Sequence, residues 1–216
     1  MKIPFTTEQF FEIIERYNLA VFPAQLIVIL LGILSVILLH SEKESKNKLI
    51  GGFLGILWVW IGTAYHFAFF TEINKAAFIF GGLFVLQGLF FLFETFSRKK
   101  LEFEFRGKLM DYVAYFFIIF GIVIYPILLF FLENSLETTI TLGLPCPSTI
   151  LTFGFLMLTS TKLSKYLLIV PALWTIIGTS AAFNFGVYPD YLMAISALVA
   201  IVYLFMKKRG NEVYIQ

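Results

Sequence analysis

Leu57-Trp58-Val59-Trp60-Ile61-Gly62-Thr63-Ala64-Tyr65-His66-Phe67 is echoed 116 positions later by Leu173-Trp174-Thr175-Ile176-Ile177-Gly178-Thr179-Ser180-Ala181-Ala182-Phe183. Leu, Trp, Ile, Gly, Thr and Phe recur in register, and two of the three tryptophans in the chain take part. Repetition at a fixed offset is the first thing to seek in a sequence, because it decides the architecture. Phe and Leu coincide cheaply in so apolar a chain, whereas a matched Trp-x-x-Ile-Gly-Thr does not. The string predicts a duplicated helix, and the rest of the chain is read outward from it.

Both copies sit inside long apolar runs. The chain is 59% hydrophobic and 14% charged, with a mean hydropathy of +0.88. Soluble domains lie near 45–50% apolar and about 25% charged, so a water-soluble globule is excluded. Seven apolar segments, near 19–40, 49–70, 76–97, 109–132, 147–161, 166–184 and 190–206, predict an all-α integral membrane protein. Each must be helical, because lipid offers no partner to a bare backbone group. The fifth is short against the ~20 residues that span the hydrocarbon. Ahead of them, residues 1–18 carry Glu8, Glu12, Glu15 and Arg16. Thr6-x-x-Gln9 has the form of a capping box, and Phe10, Ile13, Ile14 and Tyr17 follow at helical spacing. This predicts a short amphipathic helix lying in the interface. A basic start, short apolar core and cleavage site are not seen, so the N-terminus is expected to be retained.

Basic residues collect in cytoplasmic loops. Of the 16 Lys and Arg, 13 fall in one set of alternate connections, from Lys43 through Arg98–Lys108, Lys162 and Lys165 to Lys207–Arg209. Only Lys2, Arg16 and Lys75 fall on the other side. The expected topology is N-terminus outside, C-terminus inside, in a cell (inner) membrane. The two strings then run the same way across the bilayer. Halves at about 19–97 and 142–206 would be parallel copies joined by a linker helix near 109–132, within one membrane domain over 19–216. Parallel repeats of this kind are a known transporter plan. The layout is similar to that of the three-plus-one-plus-three sugar-facilitator and PQ-loop families, although their paired Pro-Gln motif is missing.

Candidate site residues come from polar groups inside the apolar segments, which default to functional roles and face the bundle interior. His66 with Tyr65 stands where the second copy has Ala181 and Ala182, so a facing arrangement would aim the imidazole at small residues. The bland alternative is a neutral histidine bonded to a neighbouring helix. Leu142-Gly-Leu-Pro-Cys-Pro-Ser-Thr149 opens the fifth segment, and its prolines forbid a continuous helix. Its counterpart is Phe22-Pro23-Ala24-Gln25. Short Pro/Gly-interrupted segments in corresponding places mark transport sites. A helix starting at Cys146 would aim free N–H groups at an anion, a thiolate included; an inert thiol is the alternative. Gln87, in the middle of the third segment, is the best of the remaining polar groups as a lining residue, with interhelical glue as its alternative. Substrate-lining groups are therefore expected among Tyr65, His66, Gln25, Cys146 and Gln87. Glu72, Asn74, Glu133 and Asp190 ring the outer face and read as solvated. Glu94 pairs on helical spacing with Arg98.

One cysteine and two histidines exclude an internal disulfide and leave too few ligands for a metal cluster. Neither a cofactor nor a nucleic-acid partner is expected, and no nucleophile motif or phosphate loop points to an enzyme. The partners expected are the lipid bilayer, a small solute or ion and a second copy of the chain. Arg16-Tyr-Asn-Leu-Ala-Val-Phe-Pro-Ala-Gln25, Tyr65-His66, Leu144-Pro-Cys-Pro-Ser-Thr-Ile150 and Pro171-Ala-Leu-Trp-Thr-Ile-Ile-Gly178 together resemble a bacterial family of multipass membrane proteins catalogued as a domain of unknown function. That resemblance covers nearly the whole chain and implies an integral membrane protein without supplying an activity. The pattern favours a small-solute or ion permease with its site between the halves. A non-transporting sensor or partner subunit, and an intramembrane thiol or redox enzyme using Cys146, are the alternatives.

Overall fold

The computed structural model describes residues 4–133 and 135–208, apart from the side chains of Ala181 and Lys208. Lys2 and Arg209, which enter the charge asymmetry, and the Ala181 and Lys208 side chains, which enter the comparison of copies and the basic C-terminal run, lie outside the described residues.

Helix α1 (Thr7–Val21) starts on the expected capping box: the Gln9 amide donates to Thr6 Oγ1 and the Thr6 amide to Gln9 Oε1. Its Ile13, Ile14 and Tyr17 are buried. An 85° bend at the Phe22–Pro23 cis peptide separates it from α2 (Ala24–Leu39). Next comes α3 (Lys46–Trp60), continued by a π-helical stretch (Ile61–Phe67) and a 3₁₀ turn (Phe70–Glu72). Helix α4 (Ala77–Leu92) likewise ends in a π-helical turn (Phe93–Ser97). The fourth apolar run holds α5 (Leu109–Ile119), π-helical Phe120–Ile124 and α6 (Tyr125–Glu133). It is followed by α7 (Pro145–Met157), α8 (Tyr166–Phe185) and α9 (Tyr191–Lys208). No β-strand occurs among the described residues, only isolated bridges such as Phe103 with Thr159.

Five of these units, Lys46–Glu72, Ala77–Ser97, Leu109–Glu133, Tyr166–Phe185 and Tyr188–Lys207, are long and apolar enough to cross a membrane. The bent α1–α2 pair makes up to six. Their outward faces carry large exposed apolar side chains, for example Leu30, Ile37, Ile79, Ile176 and Leu198. Soluble monomers rarely expose apolar surface on this scale, so these helices mark a multipass membrane protein.

Helix α7, too short to count among the spanning units, is central. From Pro147 to Met157 every side chain is buried, the pattern of a helix enclosed on all sides. It begins at Pro145 rather than Pro147, with both prolines in the first turn where no intrahelical donor is needed. It stops at Met157 because the following backbone leaves the helix to pair with Glu102–Glu104. Close approach of α3 and α4 depends on glycine at two crossings. A Cβ on Gly88 would sit 2.6 Å from the Gly55 carbonyl oxygen, and one on Gly62 would sit 2.7 Å from that of Gly81.

Candidate functional site

At the end of the bundle away from the Lys-rich connections, five elements converge on the start of α7. Asp190, leading into α9, is only 3% exposed. Its Oδ1 accepts a 2.5 Å hydrogen bond from the hydroxyl of Tyr125, the fully buried first residue of α6. Cys146, second residue of α7, turns its thiol toward Asp190 and Trp174 of α8. Gly178 lets Met193 pack into that corner: a Cβ there would lie 2.5 Å from Met193 Cε, 3.4 Å from Trp174 Nε1 and 3.6 Å from Cys146 Sγ. Tyr65 approaches the cluster from the π-helical stretch through His66, whose ring meets both Tyr65 and Trp174. Among the described residues the ion pairs are Arg16–Glu72, Arg98–Glu94 and Arg106–Asp111, and Asp190 takes part in none of them. A buried carboxylate is ordinarily compensated by a partner charge, a proton or a cation. Here its neighbours are the Tyr125 phenol, which donates to it, and the Cys146 thiol.

His66 is fully buried next to this cluster. Its ring is enclosed by Phe84 (4.7 Å between centroids), Trp174 (5.1 Å), Tyr65 (5.2 Å), Phe70 (5.9 Å) and Phe80 (6.0 Å). Neither ring nitrogen has a hydrogen-bond partner among the described residues. An imidazole always carries at least one donor, and burying one unpaired costs about 1–3 kcal/mol. The residue that the second string places opposite His66 is therefore its own tryptophan. The expectation that the imidazole would face Ala181 and Ala182 gives way to an aromatic cage closed by Trp174, because α8 presents Trp174 to Phe84 and Phe80 as well.

Tyr17 extends the cluster toward α1. Its hydroxyl donates to the Gly143 carbonyl (3.2 Å) and accepts from Trp60 Nε1 (2.8 Å), and its ring lies 5.5 Å edge-on to Tyr65. Gln25 serves the adjacent bend, donating to the Asn18 carbonyl at 2.7 Å, while Asn18 in turn donates to the carbonyls of Glu137 and Thr139. Gln25 Oε1 has no partner among the described residues.

Gln87 is elsewhere. Its Nε2 donates to the carbonyl of Leu167 at 3.0 Å, and Leu167 lies seven residues, ~10 Å along the axis, from Trp174. Pro171 lies four residues beyond Leu167 in α8. A proline has no N–H to give the i−4 carbonyl, so Gln87 supplies the missing donor from α4. That is a structural task inside the bundle.

Of the residues expected to line a site, the structure thus brings Tyr65, His66 and Cys146 together. Gln25 is connected to them only through Asn18 and Tyr17, and Gln87 stands apart. Asp190, expected to be solvated, is buried instead, because Tyr125 and Cys146 cover it. Sequence reasoning passed over Tyr125 and Trp174 as members. The usable signals were Pro126, which interrupts the fourth apolar run next to Tyr125, and Pro189 beside Asp190. The thiolate reading of Cys146 finds a carboxylate and an indole nearby, where a cation would be needed to favour it. Among the described residues no group of three or more His, Cys, Asp or Glu is placed to hold a metal ion.

Comparison with known proteins adds a family and no activity. Residues 7–214 match the model of DUF6064, a family of unknown function, and the chain belongs to that family. No curated protein and no solved structure matches it.

Proposed function

We propose that this chain is a small-solute or ion permease of a cell (inner) membrane, with Asp190, Tyr125, Tyr65, Cys146 and His66 forming its binding or coupling site. In this reading the five long helices, the α1–α2 unit and the short central α7 make seven crossings, with α1 in the interface. The N-terminus is outside, and the two tryptophan strings belong to parallel three-helix halves around a linker helix. One observation carries the proposal: a carboxylate buried within a membrane bundle with no cationic partner among the described residues. Ionisable groups so placed characteristically mark ion pathways and proton relays. A proton or a small cation at Asp190 satisfies the electrostatics that the protein itself leaves open. The cluster also sits at the start of a short, proline-initiated helix, the kind of segment that points to a transport site.

The packing around His66 favours a second reading, a non-transporting sensor or partner subunit. Five aromatic rings fill the space that a solute would occupy.

The single cysteine separates the two. Purified protein in proteoliposomes is treated with a small, membrane-impermeant methanethiosulfonate, and Cys146 modification is followed by mass spectrometry. A site that opens to water reacts in the folded protein, and Asp190→Asn changes the rate. A thiol that reacts only after denaturation sinks the permease reading and leaves the filled bundle of the second.

A further inference from the structure

The opposite end of the molecule holds a second, independent site. The connection Thr159–Lys165 is tied down by backbone and side-chain bonds to the preceding basic loop: the Ser160 amide donates to Glu102 O at 2.9 Å, and the Thr161 hydroxyl bonds the Lys100 carbonyl. This fixes two adjoining cavities on either side of Lys162 and Lys165. One, of about 290 Å³, lies between that connection and α9 and reaches Lys207. The other, of about 590 Å³, is walled by Arg98 and Lys100. Five cations therefore border two cavities that share the Thr161–Leu163 and Lys165 wall.

Their commitments differ. Arg98 is held by Glu94, whose carboxylate also takes the hydroxyls of Ser164 and Tyr166. Lys207 reaches back to the Thr159 carbonyl. The Lys162 and Lys165 side chains are exposed and make no hydrogen bond or ion pair among the described residues. The carboxylates nearby are Glu94, already paired with Arg98, Glu102 beside the Ser160 hydroxyl, and Glu104, which acts on Lys207. The five cations outnumber them.

The remaining wall is apolar. Leu168, Leu204 and Phe205 line the first cavity, and it opens onto the outward flanks of α8 and α9, where Ile169, Val202 and Met206 are exposed. We infer that this recess binds the headgroup of an anionic phospholipid, its phosphate between Lys162, Lys165 and Lys207 and its chains along the α8–α9 flank. A free phosphate would use the cations and leave the apolar wall idle, whereas a lipid uses both. Basic pockets between helices at a membrane surface have this chemistry. The inference does not depend on whether a solute crosses the bundle.

The test uses the whole protein in detergent, titrated with dioleoylphosphatidylglycerol or dioleoylphosphatidylcholine and read by native mass spectrometry. A lysine at an anionic surface is worth about 1 kcal/mol, about fivefold in affinity. The double variant Lys162→Gln/Lys165→Gln, both exposed and without structural bonds, is expected to bind phosphatidylglycerol about 30-fold more weakly. Lys46→Gln/Lys48→Gln, two lysines outside the recess, is the control and is expected to bind as the unaltered protein does. Equal retention of the two lipids overturns the inference, and so does an equal loss in the control pair, which would mean diffuse surface charge. Displacement of the lipid by millimolar inorganic phosphate overturns the lipid assignment in favour of a free anion.

Discussion

Replacing Gln87 by Leu removes the donor that Pro171 makes necessary. In the unaltered protein Gln87 Nε2 lies 3.0 Å from the Leu167 carbonyl oxygen, and both residues are fully buried. The substitution has two opposing effects. It strips the carbonyl of its partner, at about 1–3 kcal/mol for a buried group left bare. It also deletes Gln87 Oε1, itself without a partner among the described residues, which returns part of that. The single-variant change is therefore small and ambiguous, and the informative quantity is coupling. Pro171→Ala restores an N–H that can reach the Leu167 carbonyl along α8. In that background Gln87→Leu no longer exposes anything, while the Oε1 contribution is the same in both backgrounds and cancels. Side-chain bonds between membrane helices average about 0.6 kcal/mol and reach about 1.7. A proline-orphaned carbonyl belongs at the upper end, so the double-mutant cycle is expected to give about 1–2 kcal/mol of coupling. The assay is equilibrium unfolding of the four proteins in mixed detergent with increasing dodecyl sulfate. Coupling under about 0.5 kcal/mol, the usual departure from additivity between independent sites, refutes the assignment of Gln87 as a replacement donor and returns it to the lining candidates.

His66→Phe is expected to leave the protein as stable or to raise stability by about 1 kcal/mol, since relief of an unpaired imidazole outweighs the strain of a slightly larger ring. The same unfolding assay reads it, and a loss above 1 kcal/mol would mean that the imidazole is satisfied. Gly88→Ala should cost about 1–3 kcal/mol, because its Cβ meets the Gly55 carbonyl at 2.6 Å and the Val59 amide nitrogen at 2.8 Å. Gly82→Ala, with nothing within 4 Å of its Cβ, should gain up to about 1 kcal/mol from helix propensity; equal midpoints for the two variants would contradict the crossing.

Apolar runs and polar breaks were legible because lipid-facing helices must be apolar over their whole length, and the Thr6–Gln9 box is a purely local device. Helix ends were less so. The end of α7 at Met157 depends on pairing with Glu102–Glu104, more than fifty residues away in the chain. Asp190 shows why half the candidate site stayed hidden. A carboxylate beside a proline at a helix start ordinarily meets water, and what buries this one is a tyrosine 65 positions earlier. His66 was visible as an oddity, but its cage requires α4 and α8 to meet over it. Gln87 reads as a lining group because it falls in the middle of the third apolar segment, at mid-bilayer depth. Pro171 held the clue, since a proline within an apolar span implies that some other element must supply a donor.

The two strings sharpen this. Ile61-Gly62-Thr63 is π-helical and Ile177-Gly178-Thr179 is α-helical, so an identical tripeptide takes both forms and its own propensity cannot choose. Thr63 bonds back to the Val59 carbonyl, and such bonds loosen a helix, but Thr175 does the same to Pro171 without widening α8. The surroundings of the two glycines differ. A Cβ on Gly62 would meet backbone, the Gly81 carbonyl oxygen at 2.7 Å and the Val85 nitrogen at 3.0 Å, whereas one on Gly178 would meet the ends of side chains, Met193, Trp174 and Cys146. The first glycine is therefore required for the helix crossing, while at the second a side-chain tip could give way. The π-helical stretch that holds Gly62 also carries Tyr65 and His66, both buried. Extra residues of this type are concentrated at functional sites. The polar pair that distinguishes the first string from the second is thus held in the stretch of it that is π-helical.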